Sequence, residues 1–296
     1  MKNQKRGSLL LTVTAMVWGM GFVAQSASTK FIGPFTMQGI RYLLAALVLL
    51  PVRHLTDKLG LSAPPQTRSQ SRRFLLCGII CGTILFAASI IQQFGIEYTT
   101  AGKAGFLTAQ YIILVPILST LFGHRPRGVV WLCAVMAVVG MFFLCVGEGF
   151  SVNRGDVLVL ICALGFSGHI MYVDRVAGSV DGIRLSCIQF FTCAAWGITG
   201  MFIFENPSLK NILDCALPIC YSGMVSGGVG YTLQILAQKD VQPAIASLIM
   251  SMEAVFSAVF GWLVLGQGLS GREIFGCVIM FAAIILAQLP GKKGMA

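Results

Sequence analysis

Almost continuous apolar runs of roughly 17 to 24 residues recur from Ser8 to Leu289, separated by short polar connections. Each run is long enough for a helix to cross the hydrocarbon core of a bilayer. A segment in lipid has to satisfy its own backbone hydrogen bonds, which leaves helices or closed barrels. A barrel strand would alternate apolar and polar at every second residue, and these runs do not. The pattern predicts an all-α integral membrane bundle of ten spans, at about 8–25, 35–53, 74–95, 101–122, 129–147, 155–175, 183–204, 215–236, 242–265 and 272–289. The longest connection, 54–73, carries Gly60, Pro64, Pro65 and a polar tail, as a solvated loop would. Lys2, Lys5 and Arg6 ahead of the first run, with "AQSAS" behind it, resemble a signal peptide. The run from Ser8 to Ala24 is longer than a usual signal core and has a counterpart later in the chain, so it is expected to stay as the first span.

That counterpart belongs to an internal repeat. An offset of about 142 to 148 residues lays "LTVTAMVWGMGF" over "LVLICALGFSGHI", Gln92 over Gln234, and "TTAGKAGFLTAQYIILVPIL" over "VQPAIASLIMSMEAVFSAVF". The halves are expected at 8–147 and 155–290, five spans each. Five crossings is an odd number, so the second half must sit inverted relative to the first, as in many transporters.

Composition agrees with lipid as the solvent: 56% of residues are hydrophobic, 11% are charged, and mean hydropathy is +0.82. The net charge of +10 matters only through topology, because the basic residues scatter over short loops and tails and build no domain to hold a nucleic acid. Fifteen of the 21 Lys and Arg fall on the side of the termini, and six (Lys30, Arg41, Lys103, Arg154, Lys210 and Arg272) on the other. Both termini are therefore expected in the cytoplasm of a cell-membrane protein. The ten Cys lie inside spans without a CxxC pair or a Cys/His cluster, and read as small buried hydrophobes; no metal or cofactor is expected.

Chemistry enters with the run Ala246–Gly266, which carries one carboxylate, Glu253, near its middle. Ser247, Ser251, Ala254, Ala258 and Gly261 recur every three to four residues, forming a narrow stripe where another helix could approach closely. An ionised carboxylate facing lipid is costly, so Glu253 has to face protein or a water-filled cavity. At about 1.5 Å per residue, Trp18, Tyr111, Phe166 and Glu253 each lie roughly 15 Å into their spans, near mid-bilayer. Trp18 and Phe166 are repeat partners, as are Tyr111 and Glu253. Two aromatics and two polar groups at one depth suit an amphipathic organic solute, and these four are the candidate substrate-binding residues, each with packing as its alternative role. Pro116 is expected to kink span four or to leave the carbonyl of Ile112 free.

The candidates for coupling or gating are Glu253, Arg41, Gln92, Gln234 and His169. Arg41 lies about 9 Å below the outer surface, within reach of headgroups by snorkelling, and is also the cation nearest Glu253 by depth. Gln92 and Gln234 fall near opposite ends of their helices and read as gate or cap residues rather than ligands. His169 could titrate near neutral pH, although a lone His within a helix is more often structural.

"MVWGMGF" in span one, "GIRYLLAALVLL" in span two and "ASLIMSMEAVFSAVFGWLVLGQGLSGREIFGCVIMFAAIILAQ" at the end resemble the EamA-type drug/metabolite transporters, over nearly the whole chain. Trp18-Gly19, Phe22 and Arg41 match recurrent positions of that family, and Glu253 matches a glutamate of its ninth span. The resemblance implies ten helices in two inverted five-helix repeats, a central cavity formed by spans one to four and six to nine, spans five and ten at the periphery, and export of solutes. The chain departs from the family at Gln267, where the ninth span usually ends "LGE", and has Gly123-His124-Arg125 at the equivalent turn of the first half.

A secondary transporter of small organic solutes, such as amino acids, metabolites or drugs, is the leading expectation. Its partners would be the solute and the bilayer, and a homodimer is compatible with the sequence. No GxxxxGK[ST] loop is present, so movement would follow a gradient or facilitated diffusion. The alternative is an intramembrane enzyme acting on a lipid or lipid-linked substrate. Of the three His, at 54, 124 and 169, none has a ligand-spaced neighbour, and no enzymatic activity is expected. A mere scaffold subunit would have no use for two mirrored half-bundles.

Overall fold

The computed structural model describes residues 3–60, 65, 67–99, 101–123, 126–145, 153–265 and 270–288, and among these the chain is helical with no strand. Gln267, His124, Arg125, Lys2, Lys292, Lys293 and the side chain of Lys103 lie outside the described residues. The first half runs α1 (Gln4–Ser28), α2 (Pro34–Lys58), α3 (Arg68–Ile96), α4 (Ala101–Thr108), α5 (Tyr111–Leu121) and α6 (Gly128–Cys145). The second half runs α7 (Arg154–Ala177), α8 (Gly182–Phe204), α9 (Leu209–Asp214), α10 (Ala216–Cys220), a π-helix (Tyr221–Tyr231), α11 (Thr232–Ala237), α12 (Pro243–Met250), α13 (Glu253–Leu265) and α14 (Gly271–Gln288). Among the described residues, seven stretches are long and apolar enough to cross a membrane, with shorter apolar helices beside them, which makes this a multi-pass membrane protein.

Polarity is distributed for lipid. Leu121, Phe202 and Leu217 are 75%, 75% and 82% exposed, whereas Gln25, Arg41, Gln92, His169 and Glu253 are buried. Outside, apolar side chains meet hydrocarbon at no cost; inside, polar groups find partners that lipid cannot offer. Small residues set the spacing between helices. A methyl group at Gly39 of α2 would lie 2.9 Å from the backbone N of Ile198 in α8, and one at Gly140 of α6 would lie 2.8 Å from the Gly276 carbonyl of α14.

The antiparallel pair α2–α8 holds the two halves together, and an offset of 148 residues relates Thr36 to Arg184, Tyr42 to Phe190 and Asp57 to Glu205. The rings of Tyr42 and Phe190 stack at 5.9 Å. At one end of the pair, Glu205 accepts hydrogen bonds from Phe35 N at 2.8 Å, Thr36 N at 2.8 Å and Thr36 Oγ1 at 2.6 Å. At the other end, Arg184 Nη2 donates to Asp57 Oδ2 at 2.6 Å. Each helix thus uses a carboxylate at its C-terminal end to hold the first turn of the other, where the helix dipole favours negative charge.

Two expected spans are broken rather than continuous. Span four stops at Thr108 and restarts at Tyr111; span nine stops at Met250 and restarts at Glu253. At both breaks the hydrogen bonds tighten to three residues, Ile112 N to Ala109 O at 3.0 Å and Ala254 N to Ser251 O at 3.2 Å. The breaks are repeat equivalents and contain neither Pro nor Gly. Pro116 lies inside α5, beyond the break.

Candidate functional site

Tyr111 and Glu253 are the first residues of α5 and α13, so the two breaks turn both side chains toward each other across the repeat interface. Tyr111 Oη donates to Glu253 Oε1 at 2.9 Å, with both residues buried. Gly19 lets α1 lie directly on the start of α13, since a methyl group there would be 2.9 Å from the Glu253 carbonyl oxygen and 2.8 Å from Ser257 N. That contact carries the neighbouring Trp18 inward, where its Nε1 donates to the Ser226 carbonyl at 3.1 Å.

A cavity of about 30 Å³ opens beside this pair. Its wall is formed by Trp18, Phe22 and Gln25 of α1, Arg41 of α2, Gln92 of α3, Thr108 of α4, Tyr111 of α5, and Phe166, His169 and Ile170 of α7. Ser226 and Tyr231 of the π-helix, Gln234 of α11 and Glu253 of α13 complete it. All eight residues singled out from the sequence are on this wall. Helix α8, expected to contribute, stands behind it: Gln189 Oε1 is 3.2 Å from His169 Nε2.

Three expectations about individual residues are corrected. Arg41 does not snorkel; it is 3% exposed, and its Nη1 donates to Gln25 Oε1 at 2.7 Å. Nor does it pair with Glu253, which accepts from the Tyr111 hydroxyl, because α2 packs on α8 and the π-helix rather than on α13. Gln92 and Gln234 are not end caps but wall residues. Gln92 Nε2 donates to Thr108 Oγ1 at 3.0 Å, while the buried Gln234 Oε1 has no hydrogen-bond partner among the described residues.

The sequence reading missed Tyr231, the aromatic hub of the site. Its ring lies 4.7 Å from Trp18, 5.9 Å from His169, 6.2 Å from Phe190 and 6.5 Å from Tyr42. The available signal was the glycine-rich "SGMVSGGVGY" inside an apolar span. Those glycines let other groups come close: a methyl group at Gly223 would be 2.6 Å from the Arg41 carbonyl, and one at Gly230 would be 2.5 Å from Trp18 Nε1. Such a run accommodates a π-helix, a geometry that recurs at functional sites. His169 sits among Cys81 Sγ at 3.3 Å and Gln189, and among the described residues no group of His, Cys, Asp and Glu is arranged to hold a metal ion.

Comparison with known proteins agrees with this architecture. The model of the EamA-like transporter family matches twice, over residues 5–146 and 153–289. An uncharacterised transporter of Archaeoglobus fulgidus is 27% identical over 285 residues, covering 94% of this chain and 84% of that one. An uncharacterised inner membrane transporter of Escherichia coli, YedA, is 23% identical over 278 residues, covering 93% and 88%. A crystal structure with 17% sequence identity superposes with a TM-score of 0.78 over 95% of this chain and 96% of its own, which shows a common fold. With the family matched once in each half, around a site built where the halves meet, the chain belongs to the EamA-like transporter family.

Proposed function

We propose that this protein is a secondary transporter, without enzymatic activity, that exports small organic solutes across the cytoplasmic membrane by alternating access around the cavity between its repeats. In this reading the chain crosses the membrane ten times as two inverted five-helix repeats, with both termini cytoplasmic. Trp18, Tyr111, Phe166 and Glu253 contact the solute, and Glu253 couples its movement to protons. The observation that carries the reading is the small cavity at the paired breaks. About 30 Å³ has room for roughly two waters, so an organic solute enters only when the helices around it move apart. The two carboxylate clasps on α2–α8 supply a means: releasing one while the other holds opens one end at a time. In the proposed topology the Glu205 clasp closes the outer end and the Asp57–Arg184 clasp the cytoplasmic end.

The test is solute counterflow in proteoliposomes against pH, for wild type and Glu253→Gln at matched incorporation, over a panel of amino acids, nucleosides and cationic drugs. Flux in the wild type that loses its pH dependence in Glu253→Gln is expected. Superimposable pH profiles would leave Glu253 as a packing residue, and silence across the panel with turnover of added lipid would favour the enzyme. An active C-terminal alkaline phosphatase fusion would overturn the proposed orientation.

A further inference from the structure

Among the described residues, Arg41 is the one permanent cation on the cavity wall, and no ion pair neutralises it. It is 3% exposed, no carboxylate among the described residues forms an ion pair with it, and its Nε has no hydrogen-bond partner. One nitrogen is held by the neutral Gln25 amide, and the guanidinium carbon stands 4.8 Å from the centre of the Tyr42 ring. A guanidinium in the interior of a membrane protein is expensive unless something negative reaches it, and the cavity is the space from which that can come.

We infer that Arg41 and Gln25 form an anion subsite that takes the carboxylate of a small organic acid. This rests on the transporter reading and narrows its solute class. A single permanent cation balances a monoanion, whereas a doubly charged phosphate would need a second one. The planar guanidinium matches the two oxygens of a carboxylate. The apolar body of the acid faces Trp18, Phe166 and Tyr231 across the wall. Gln25 keeps the site empty of fixed charge: its amide oxygen orients Arg41 at 2.7 Å without neutralising it, so the solute supplies the neutralising group.

The experiment is a thermal-shift titration of the purified full chain with sodium phenylacetate, phenylacetamide, phenethylamine and an equal concentration of sodium chloride. Phenylacetate is expected to raise the unfolding temperature above the chloride control, and the neutral amide and the amine are not. Gln25→Glu puts a fixed carboxylate on Arg41 and is expected to unfold at a higher temperature than wild type while losing phenylacetate affinity at least tenfold; Arg41→Gln loses it as well. The inference is overturned if phenylacetate gives no shift beyond chloride, if the amide or amine stabilises as well as the acid, or if Gln25→Glu binds phenylacetate like the wild type. Flux is read separately in proteoliposomes. Acid binding without flux of any solute would leave the subsite standing and defeat the transporter reading, and flux of the amine without acid binding would do the reverse.

Discussion

The two ends of the α2–α8 pair are closed by carboxylates in equivalent positions of the two repeats, yet they close by different chemistry. At the N-terminal end of α2 the preceding residue is Gly33, which has no side chain to cap the helix, so Glu205 reaches over from α8 and takes the free N–H groups itself. At the N-terminal end of α8 the helix has its own cap, since Asp181 accepts from Arg184 N at 2.9 Å. Asp57 is then left to bind the Arg184 guanidinium. One clasp is a borrowed cap on fixed backbone donors; the other is an ion pair between two partly exposed side chains. Identical placement therefore does not imply identical strength or identical sensitivity to the medium.

The largest effect is expected at the borrowed cap. Glu205→Ala removes three charge-assisted hydrogen bonds and should lower unfolding stability by about 2 kcal/mol in a thermal or denaturant titration. Gly33→Ala attacks the same clasp from the other side, because its methyl carbon would lie 2.4 Å from Glu205 Cδ and push the carboxylate away. The two changes together should cost clearly less than their sum, and full additivity would mean that Gly33 does not act through Glu205. Next comes Asp57→Asn, expected to cost about 1 kcal/mol, since the Asp57 and Arg184 side chains are 30% and 12% exposed and the pair is partly screened. The contrast sharpens with salt. Raising ionic strength should weaken the wild type but leave Asp57→Asn nearly unchanged, and an equal salt response in Asp57→Asn and Glu205→Ala would break the distinction between the clasps.

The smallest effect is on the Glu205 side. Glu97, between α3 and α4, is pushed up from the usual carboxylate range by partial burial and then by the nearby Glu205 carboxylate. A carboxyl group raised in the folded state stabilises the protein in acid, and that contribution fades as pH rises through its folded-state value. Glu97→Gln should flatten this decline slightly, because Glu97 is exposed and solvent screens it; a steeper decline in the variant would reverse the assigned sign.

The helical class, the apolar exterior and the shared depth of Trp18, Tyr111, Phe166 and Glu253 could be read from the chain, because hydropathy reports the solvent and rise per residue converts position into depth. Direction was not readable by the same means. Depth placed Arg41 near headgroups, and only the packing of α1 on its neighbours reveals Gln25 beside it. The breaks at Ala109–Gln110 and Ser251–Met252 escaped because no residue there disfavours a helix; the surrounding packing, not local propensity, interrupts the run. Tyr231 went unnoticed because nothing in its own neighbourhood announces that four rings from α1, α2, α7 and α8 converge on it.

Span eight also has a tolerance that its neighbours lack. In an α-helix, deleting one residue rotates everything beyond it by about 100°. In α2 such a deletion would swing Asp57 away from Arg184. The π-helix Tyr221–Tyr231 closes its bonds over five residues instead of four, so it stores surplus residues relative to an α-helix. Removing one glycine from Gly227 or Gly228 can be taken up by converting a turn from π to α, with α11 and Gln234 keeping their orientation. A one-residue deletion in this span is therefore expected to disturb the cavity wall less than the same deletion in α2.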